Sequence, residues 1–267
     1  MNRILFPTDF SETANNAFLY ALNLAKQYDA DIDVVHATSK LKVDIEGEFQ
    51  QKFDEYLHYL ENVKNQFNEN FEIEINGYIE TGDLVIVSQE MTYKNPYLYI
   101  VMGTEGESSF NDKLLGTNTM NVINNSEVPV LAIPNHVKFK KDKRLGFASR
   151  LLENEYFTLK KLVVLAKRNG FPLEVVHIAK NEALEVDLEI TKSNWEKEFD
   201  DEDLDLTILY RNEIEQGIAD FIDEKQIDVL CVIHRNLNTF ERLFRTNFSK
   251  KFLQTLHIPI LVFPESK

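Results

Sequence analysis

The sequence predicts an α/β fold of two repeated Rossmann-like or flavodoxin-like domains, each a mostly parallel five-stranded sheet with helices on both faces. Three observations lead there. Short apolar runs alternate with segments of helical periodicity along the whole chain, and strands that alternate with helices form parallel sheets because parallel neighbours need long crossovers. The second half repeats the first without a gap for many residues: Arg3-Ile4-Leu5-Phe6 aligns with Arg144-Leu145-Gly146-Phe147, Leu24-Ala25-Lys26 with Leu165-Ala166-Lys167, and Val34-Val35-His36 with Val175-Val176-His177. A register held so long marks a duplication. Finally, 267 residues exceed one ordinary domain and suit two.

In the first half, Ile4 to Phe6 reads as a strand that ends at Pro7-Thr8-Asp9, where Ser11 is placed to cap a helix. Ala14, Ala17, Phe18, Ala21, Ala25 and Tyr28 follow helical spacing. A strand, Ile32 to Ala37, follows. Phe49, Phe53, Tyr56, Leu57, Leu60, Val63 and Phe67 mark a long amphipathic helix. Phe71, Ile73 and Ile75 alternate as in a strand, which Asn76-Gly77 is expected to interrupt. A helix over about 82–91, a buried strand from Leu98 to Met102, a helix from Thr117 and a last strand from Val128 to Ile133 complete the half. The polar, basic stretch from Asn135 to Lys143 reads as a linker, which places the domains at 1–136 and 142–267.

Composition narrows the function. The 44 acidic against 29 basic residues leave a net charge of −15, which argues against nucleic acid or an anionic membrane as partner. No apolar stretch approaches a membrane span, and Met1-Asn2-Arg3 runs straight into a strand without a leader, so a cytoplasmic protein is expected. The single cysteine, Cys231, lies in the apolar run Val229 to Ile233 and reads as a buried, inert thiol.

Chemistry concentrates between Tyr97 and Thr119. The strand breaks at Gly103, and the pattern Gly103-x2-Gly106-x9-Gly116-Thr117 leads into a helix. Glycines let backbone N–H groups approach a ligand with no Cβ in the way, and the first-turn amides of a helix lack intrahelical partners and attract anions. Turn glycines in an ordinary strand-to-helix connection are the plainer reading of the same residues. The position at the carboxyl end of a parallel sheet, where Pro7-Thr8-Asp9 and His36-Ala37 also end, favours a ligand.

Met102-Gly103-x2-Gly106-x9-Gly116-Thr117 resembles the ATP-binding signature of the universal stress protein family, and ILFPTDFSETANNAF resembles the family's first strand and helix. The resemblance spans the chain as a tandem pair, with the nucleotide motif in the first half only. It implies an adenine nucleotide, ATP or alternatively ADP or AMP, with or without Mg2+, held by Pro7, Thr8, Asp9, Ala37, Met102, Gly103, Glu105, Gly106, Gly116, Thr117, Asn118 and Thr119. Of these, Pro7 to Asp9 would meet the adenosine, Ala37 the adenine, and the glycine loop with its hydroxyls the ribose and phosphates. Glu105 and Asn118 depart from the family pattern. On its own, Asp9 reads sooner as a cap for the following turn, and it is the resemblance that turns it towards the ligand.

The second half has lost this apparatus: Arg150 replaces Asp9, His234 replaces Gly103, Leu237 replaces Gly106, and Thr246-Asn247-Phe248 stands near the place of Gly116-Thr117. His36 and His177, at equivalent strand ends, suggest a shared packing role. Asp200-Asp201-Glu202-Asp203 reads as a solvated acidic connection, and Arg235, Arg242, Arg245, Lys250 and Lys251 as a solvated face. With no Gly-x4-Gly-Lys-[Ser/Thr] loop and no lysine near the signature except Lys113, a stress-linked nucleotide-binding or signalling module is expected, at most a weak ATPase; a slow ATP-hydrolysing enzyme and a nucleotide-free scaffold are the alternatives. The strands Val128-Pro129-Val130-Leu131-Ala132 and Ile258-Pro259-Ile260-Leu261-Val262 each contain a proline, which suits edge strands. They are expected to pair the two domains, and a further homodimer is open.

Overall fold

Ile4, Leu5 and Phe6 are fully buried. An unbroken apolar run of this kind belongs to a central parallel strand covered on both faces. In a computed structural model, which describes residues 2–39, 47–68, 72–104, 117–180, 186–199, 204–234 and 258–265, the chain divides into two compact units, Met1–Phe139 and Lys140–Lys267.

The first unit runs β1 (Asn2–Pro7), α1 (Glu12–Tyr28), β2 (Ala30–Thr38), α2 (Glu48–Phe67), β3 (Ile75–Thr81), α3 (Leu84–Lys94), β4 (Tyr99–Gly103), α4 (Thr117–Asn125) and β5 (Val130–Ile133). Its strands lie in the order β3-β2-β1-β4-β5, all pairings being parallel. This is the 3-2-1-4-5 order of a Rossmann half. Right-handed crossovers then put α1 and α2 on one face and α3 and α4 on the other, and α1 packs on α2 while α3 packs on α4. Ser11 caps α1, its Oγ accepting from Ala14 N at 3.2 Å, and Asp29 ends it in the left-handed region. Buried alanines at 14, 17, 21 and 25 let this helix lie close to the sheet.

One expectation needs correction. Asn76-Gly77 does not interrupt a strand but lies inside β3, paired with Asp33 and Val34 of β2. The glycine is required by packing, since a Cβ at residue 77 would lie 2.3 Å from a methyl of Leu57 and 2.9 Å from the Phe53 ring on α2. Composition alone made a close helix–sheet approach look like a turn.

The second unit repeats the plan: β6 (Leu145–Ala148), a 3-10 turn (Glu153–Glu155), α5 (Tyr156–Asn169), β7 (Leu173–Ala179), α6 (Val186–Glu198), β8 (Leu204–Tyr210), α7 (Ile214–Lys225), β9 (Val229–His234) and β10 (Ile260–Pro264). Its order is β8-β7-β6-β9-β10, again parallel throughout. Pro129 and Pro259 stand just before β5 and β10 rather than inside them. Their carbonyls accept from Ile100 N and Leu230 N, so each enters its ladder as an acceptor only, which proline can do at a strand start.

Both units bury a carboxylate in the second strand. Asp33 is wholly buried and accepts from Arg3 Nη1 at 2.9 Å, Tyr97 Oη at 2.6 Å and Asn76 Nδ2 at 3.1 Å. Burial, and then the bond to Asp33, pushes the Tyr97 hydroxyl up, so it remains a donor. At the repeat position Glu174 takes Arg144 Nη1 at 2.7 Å and Lys225 Nζ at 3.1 Å. A buried charge persists when it is paired in this way, although Glu174 Oε2 has only the Lys225 charge beside it and no hydrogen-bond partner among the described residues.

Cys231 is fully buried, and desolvation pushes its thiol up. Among the described residues no helix is long and apolar enough to cross a membrane, and no cluster of His, Cys, Asp and Glu is arranged to hold a metal.

Candidate functional site

The strand order of the first unit reverses between β1 and β4, and ligands of open α/β sheets bind at the carboxyl ends of the strands beside that reversal. Pro7 pairs with Val35 and Leu5 with Ile100. Continuing both registers by parallel steps sets Thr8 beside His36 and level with Gly103. The ends of β1, β2 and β4 therefore form one rim.

The β1 end turns sharply. Thr8 is 7% exposed, and its N–H donates to Val35 O at 2.9 Å, one step beyond the strand. Phe10 adopts φ of 66°, unusual for a bulky residue, with its N–H donating to Thr8 Oγ1 at 3.0 Å. Asp9 is exposed, and its Oδ1 accepts from Ser11 N at 3.1 Å. The capping role that residue type suggests is thus present, and the carboxylate still faces solvent at the rim.

His36 Nδ1 lies 2.8 Å from Thr8 O. A carbonyl only accepts, so Nδ1 carries the proton. Its ring stacks on Phe10 with centroids 4.5 Å apart, and Phe49, Phe53 and Tyr56 of α2 approach Phe10 edge-on. Ala37 follows, half-buried. His177 Nδ1 makes the equivalent contact to Ser149 O at 2.9 Å in the second unit. The histidines hold the turn in both copies, which agrees with the shared packing role.

At the β4 end Met102 is buried, and Gly103 is in close contact with α1: a Cβ there would lie 2.6 Å from Thr13 Cγ2 and 3.1 Å from the Thr13 carbonyl carbon. This glycine therefore has a packing reason apart from any ligand. Thr117 and Asn118 are exposed at the start of α4. Thr119 is 2% exposed, and its Oγ1 donates to Gly103 O at 3.0 Å, so its proton ties α4 to β4. The rim thus gathers Pro7, Thr8, Asp9, Ala37, Met102, Gly103, Thr117, Asn118 and Thr119. Glu105, Gly106 and Gly116 lie outside the described residues, as do Lys113, the acidic run 200–203, Leu237, the stretch 246–248 and the basic residues from Arg235 to Lys251.

Sequence reasoning passed over Thr104, Asn15 and Tyr56. Thr104, next to Gly103, is 1% exposed, and its hydroxyl has no partner among the described residues. Tyr56 was legible only as an apolar-face residue of α2. Its hydroxyl reaches Thr8 Oγ1 at 3.0 Å and Asn15 Oδ1 at 2.9 Å.

In the second unit the corresponding turn keeps its shape, with Leu151 at φ of 56° and its N–H on Ser149 Oγ at 2.9 Å. The helix start differs. A 3-10 turn occupies residues 153–155 and α5 begins at Tyr156, whereas α1 begins at Glu12, the counterpart of Glu153. The registers correct one alignment: Gly146 pairs with Leu230 as Leu5 pairs with Ile100, and Ile233 pairs with Phe263 as Gly103 pairs with Ile133, so Ile233 rather than His234 stands in the place of Gly103. A side chain there cannot face a helical turn placed like Thr13, and the displaced start fits that change. His234 is half-buried, and desolvation pushes its imidazole down against an opposing pull from Glu265.

An open parallel sheet whose strand order reverses beside its first strand defines the class of doubly wound α/β proteins. Within that class the universal stress protein family model matches residues 1–134 and 152–264, and the chain belongs to this family. A universal stress protein of Methanocaldococcus jannaschii is 27% identical over 141 residues, covering 49% of this chain and 81% of that protein. The crystal structure of a universal stress protein from Archaeoglobus fulgidus superposes with a TM-score of 0.73 at 20% identity, covering 99% of this chain and 97% of that one. A putative universal stress protein from Pseudomonas aeruginosa gives 0.66 at 12% identity, covering 98% and 92%. At such identities the two structures show a shared fold.

Proposed function

We propose that the first unit binds an adenine nucleotide, ATP, and that the protein works as a nucleotide-dependent binding or signalling module of the stress response in the cytoplasm. The observation that carries this reading is the convergence of the β1, β2 and β4 ends with the start of α4 at the strand-order reversal. Asp9, exposed at the rim, suits the ribose hydroxyls, and the half-buried Ala37 leaves room for the base. Thr117 and the first-turn amides of α4 suit phosphate oxygens, and the family resemblance assigns Glu105, Gly106 and Gly116 the same role. Pro7 and Met102 wall the site from below, and Thr119 anchors α4 beneath it. Mg2+ accompanying the phosphates would need few protein ligands, since it keeps most of its waters.

The second unit, with Arg150 in the place of Asp9 and Ile233 in that of Gly103, takes no nucleotide in this reading and serves as a partner domain. Its outermost strand β10 and the outermost strand β5 of the first unit are our candidates for pairing the domains, because bare strand edges invite aggregation. A homodimer remains compatible with this.

Calorimetry with ATP on the full chain is expected to give about one equivalent, and mass spectrometry of small molecules released on denaturation to find an adenine nucleotide. Two equivalent sites, or no heat of binding, would overturn the reading. Turnover orders of magnitude below the ~10 s−1 of a typical enzyme is expected, since the exposed carboxylate of the described rim, Asp9, already accepts from Ser11 N and is assigned here to the ribose rather than to an attacking water.

A further inference from the structure

We propose that Tyr56 is a positioning residue of the nucleotide site, holding the Thr8-Asp9-Phe10 turn from helix α2 in its ligand-ready form. The proposal rests on the reading of the first unit as the nucleotide site and names the group that keeps this site in shape.

The hydrogen-bond chain around Tyr56 has a direction. Asn15 Oδ1, 2.9 Å from Tyr56 Oη, can only accept, so Tyr56 donates there. The contact of 3.0 Å with Thr8 must then be donated by the Thr8 hydroxyl. With its proton committed, Thr8 Oγ1 turns a lone pair to Phe10 N at 3.0 Å. Each bond orients the next, from α1 through α2 to the turn. Tyr56 is 9% exposed, and burial pushes its hydroxyl up to about 12, so it stays protonated over any working pH. The turn needs this support because Phe10 sits at φ of 66°, where a bulky side chain is held only if its surroundings over-determine it.

The second unit is an internal control. Leu151 repeats the positive φ and its N–H repeats the bond, to Ser149 Oγ at 2.9 Å. There the hydroxyl proton goes to Glu155, with Oε2 2.5 Å from Ser149 Oγ. The same carboxylate oxygen accepts from Arg150 N at 2.8 Å. That copy of the turn is oriented by an acid three residues into its own following segment, and the acid also consumes the amide of residue 150. At the equivalent place the first unit has Ala14, which offers no acceptor. Its orienting group lies on a separate helix, and among the described residues no capping acid takes the Asp9 amide. The unit that lost its glycine signature closes the turn on itself. The unit that kept the signature holds the turn from outside.

The test uses the full chain and ATP. Tyr56→Phe keeps the ring against Phe10 and removes only the hydroxyl. Its ATP Kd is expected to rise about five- to tenfold, the scale of one oriented hydrogen bond, with the melting midpoint lowered by a few degrees. Thr8→Val should weaken binding similarly, and the double variant should bind no worse than the weaker single one, because both act through one chain. Tyr156→Phe, an aromatic hydroxyl in the second unit bonded to Glu198, should leave the Kd unchanged. A Tyr56→Phe protein with the wild-type Kd overturns the proposal even if it melts earlier, since that is the mark of a purely structural role. Independent, additive losses in the double variant overturn it too. Wild-type protein that takes up no ATP refutes the nucleotide reading itself, an outcome plainly distinct from both.

Discussion

Replacing Gly103 with alanine separates the two reasons a glycine can stand at this rim. The added Cβ would lie 2.6 Å from Thr13 Cγ2, 3.1 Å from Thr13 C and 3.2 Å from Thr13 O. The first distance is a hard overlap with a methyl group, and the other two are tight contacts with helix backbone. Overpacking of this kind costs about 1–3 kcal/mol, or about 2–4 °C of melting midpoint per kcal/mol in a domain of this size. Thr13→Ser removes the offending methyl at the cost of about 0.8 kcal/mol of lost burial. The double variant should therefore be more stable than the sum of the singles predicts, by at least about 1 kcal/mol. Urea denaturation followed by far-UV circular dichroism on all four proteins measures this coupling. Strictly additive losses, or an alanine variant as stable as the wild type, would refute the packing argument. The relieved double variant then serves the functional question. If it binds ATP normally, residue 103 is a glycine for the sake of α1. If it is stable but binds no ATP, the bare backbone at 103 is needed by the ligand as well.

Two further expectations follow from burial and from edge strands. Burial pushes the Lys143 ammonium down to about 8 against the pull of Asp228 and Asp142, so between pH 8 and 10 the unfolded chain binds more protons and stability should rise with pH. The rise should be roughly 1–2 kcal/mol once discounted for solvent and absent in Lys143→Met; equal pH profiles for the two proteins would refute it. Above pH 10, Tyr56, held at about 12 when folded, acts in the opposite sense. If β5 and β10 pair the domains, hydrogen exchange by NMR should find all amides from Val130 to Ile133 and from Ile260 to Phe263 slow, whereas fast exchange at alternate positions would mark bare edges and sink the pairing.

Much of the scaffold was legible in the chain because it depends on local pattern. The apolar run Ile4-Leu5-Phe6 is a buried central strand, Ser11 is the cap its type and position indicate, and α2 covers the span its apolar spacing marks out. The duplication was legible because the two copies kept their register from Arg3 and Arg144 onward, and the strand ends Pro7-Thr8-Asp9, His36-Ala37 and Met102-Gly103 could be set on one rim because a sheet of this kind brings its carboxyl ends together, whereas the individual site residues rested on the family resemblance. What residue type could not convey was which atom each group would meet. Gly77 read as a break and is a gap for Leu57 and Phe53 in the middle of β3. Gly103 read as a ligand glycine and also clears the path of α1. Tyr56 read as one more apolar-face residue, yet its hydroxyl ties α2 to the β1 turn and to the start of α1, 48 and 41 residues away in the chain. Asp33 and Glu174 are acids inside otherwise apolar strands, and only the crossing of Arg3, Asn76 and Tyr97, or of Arg144 and Lys225, shows why burying them is tolerable. Periodicity along a chain reports which face of an element is apolar; the partner of a hydroxyl, a carboxylate or a missing Cβ depends on contacts distant in sequence, and only the tertiary structure decides it.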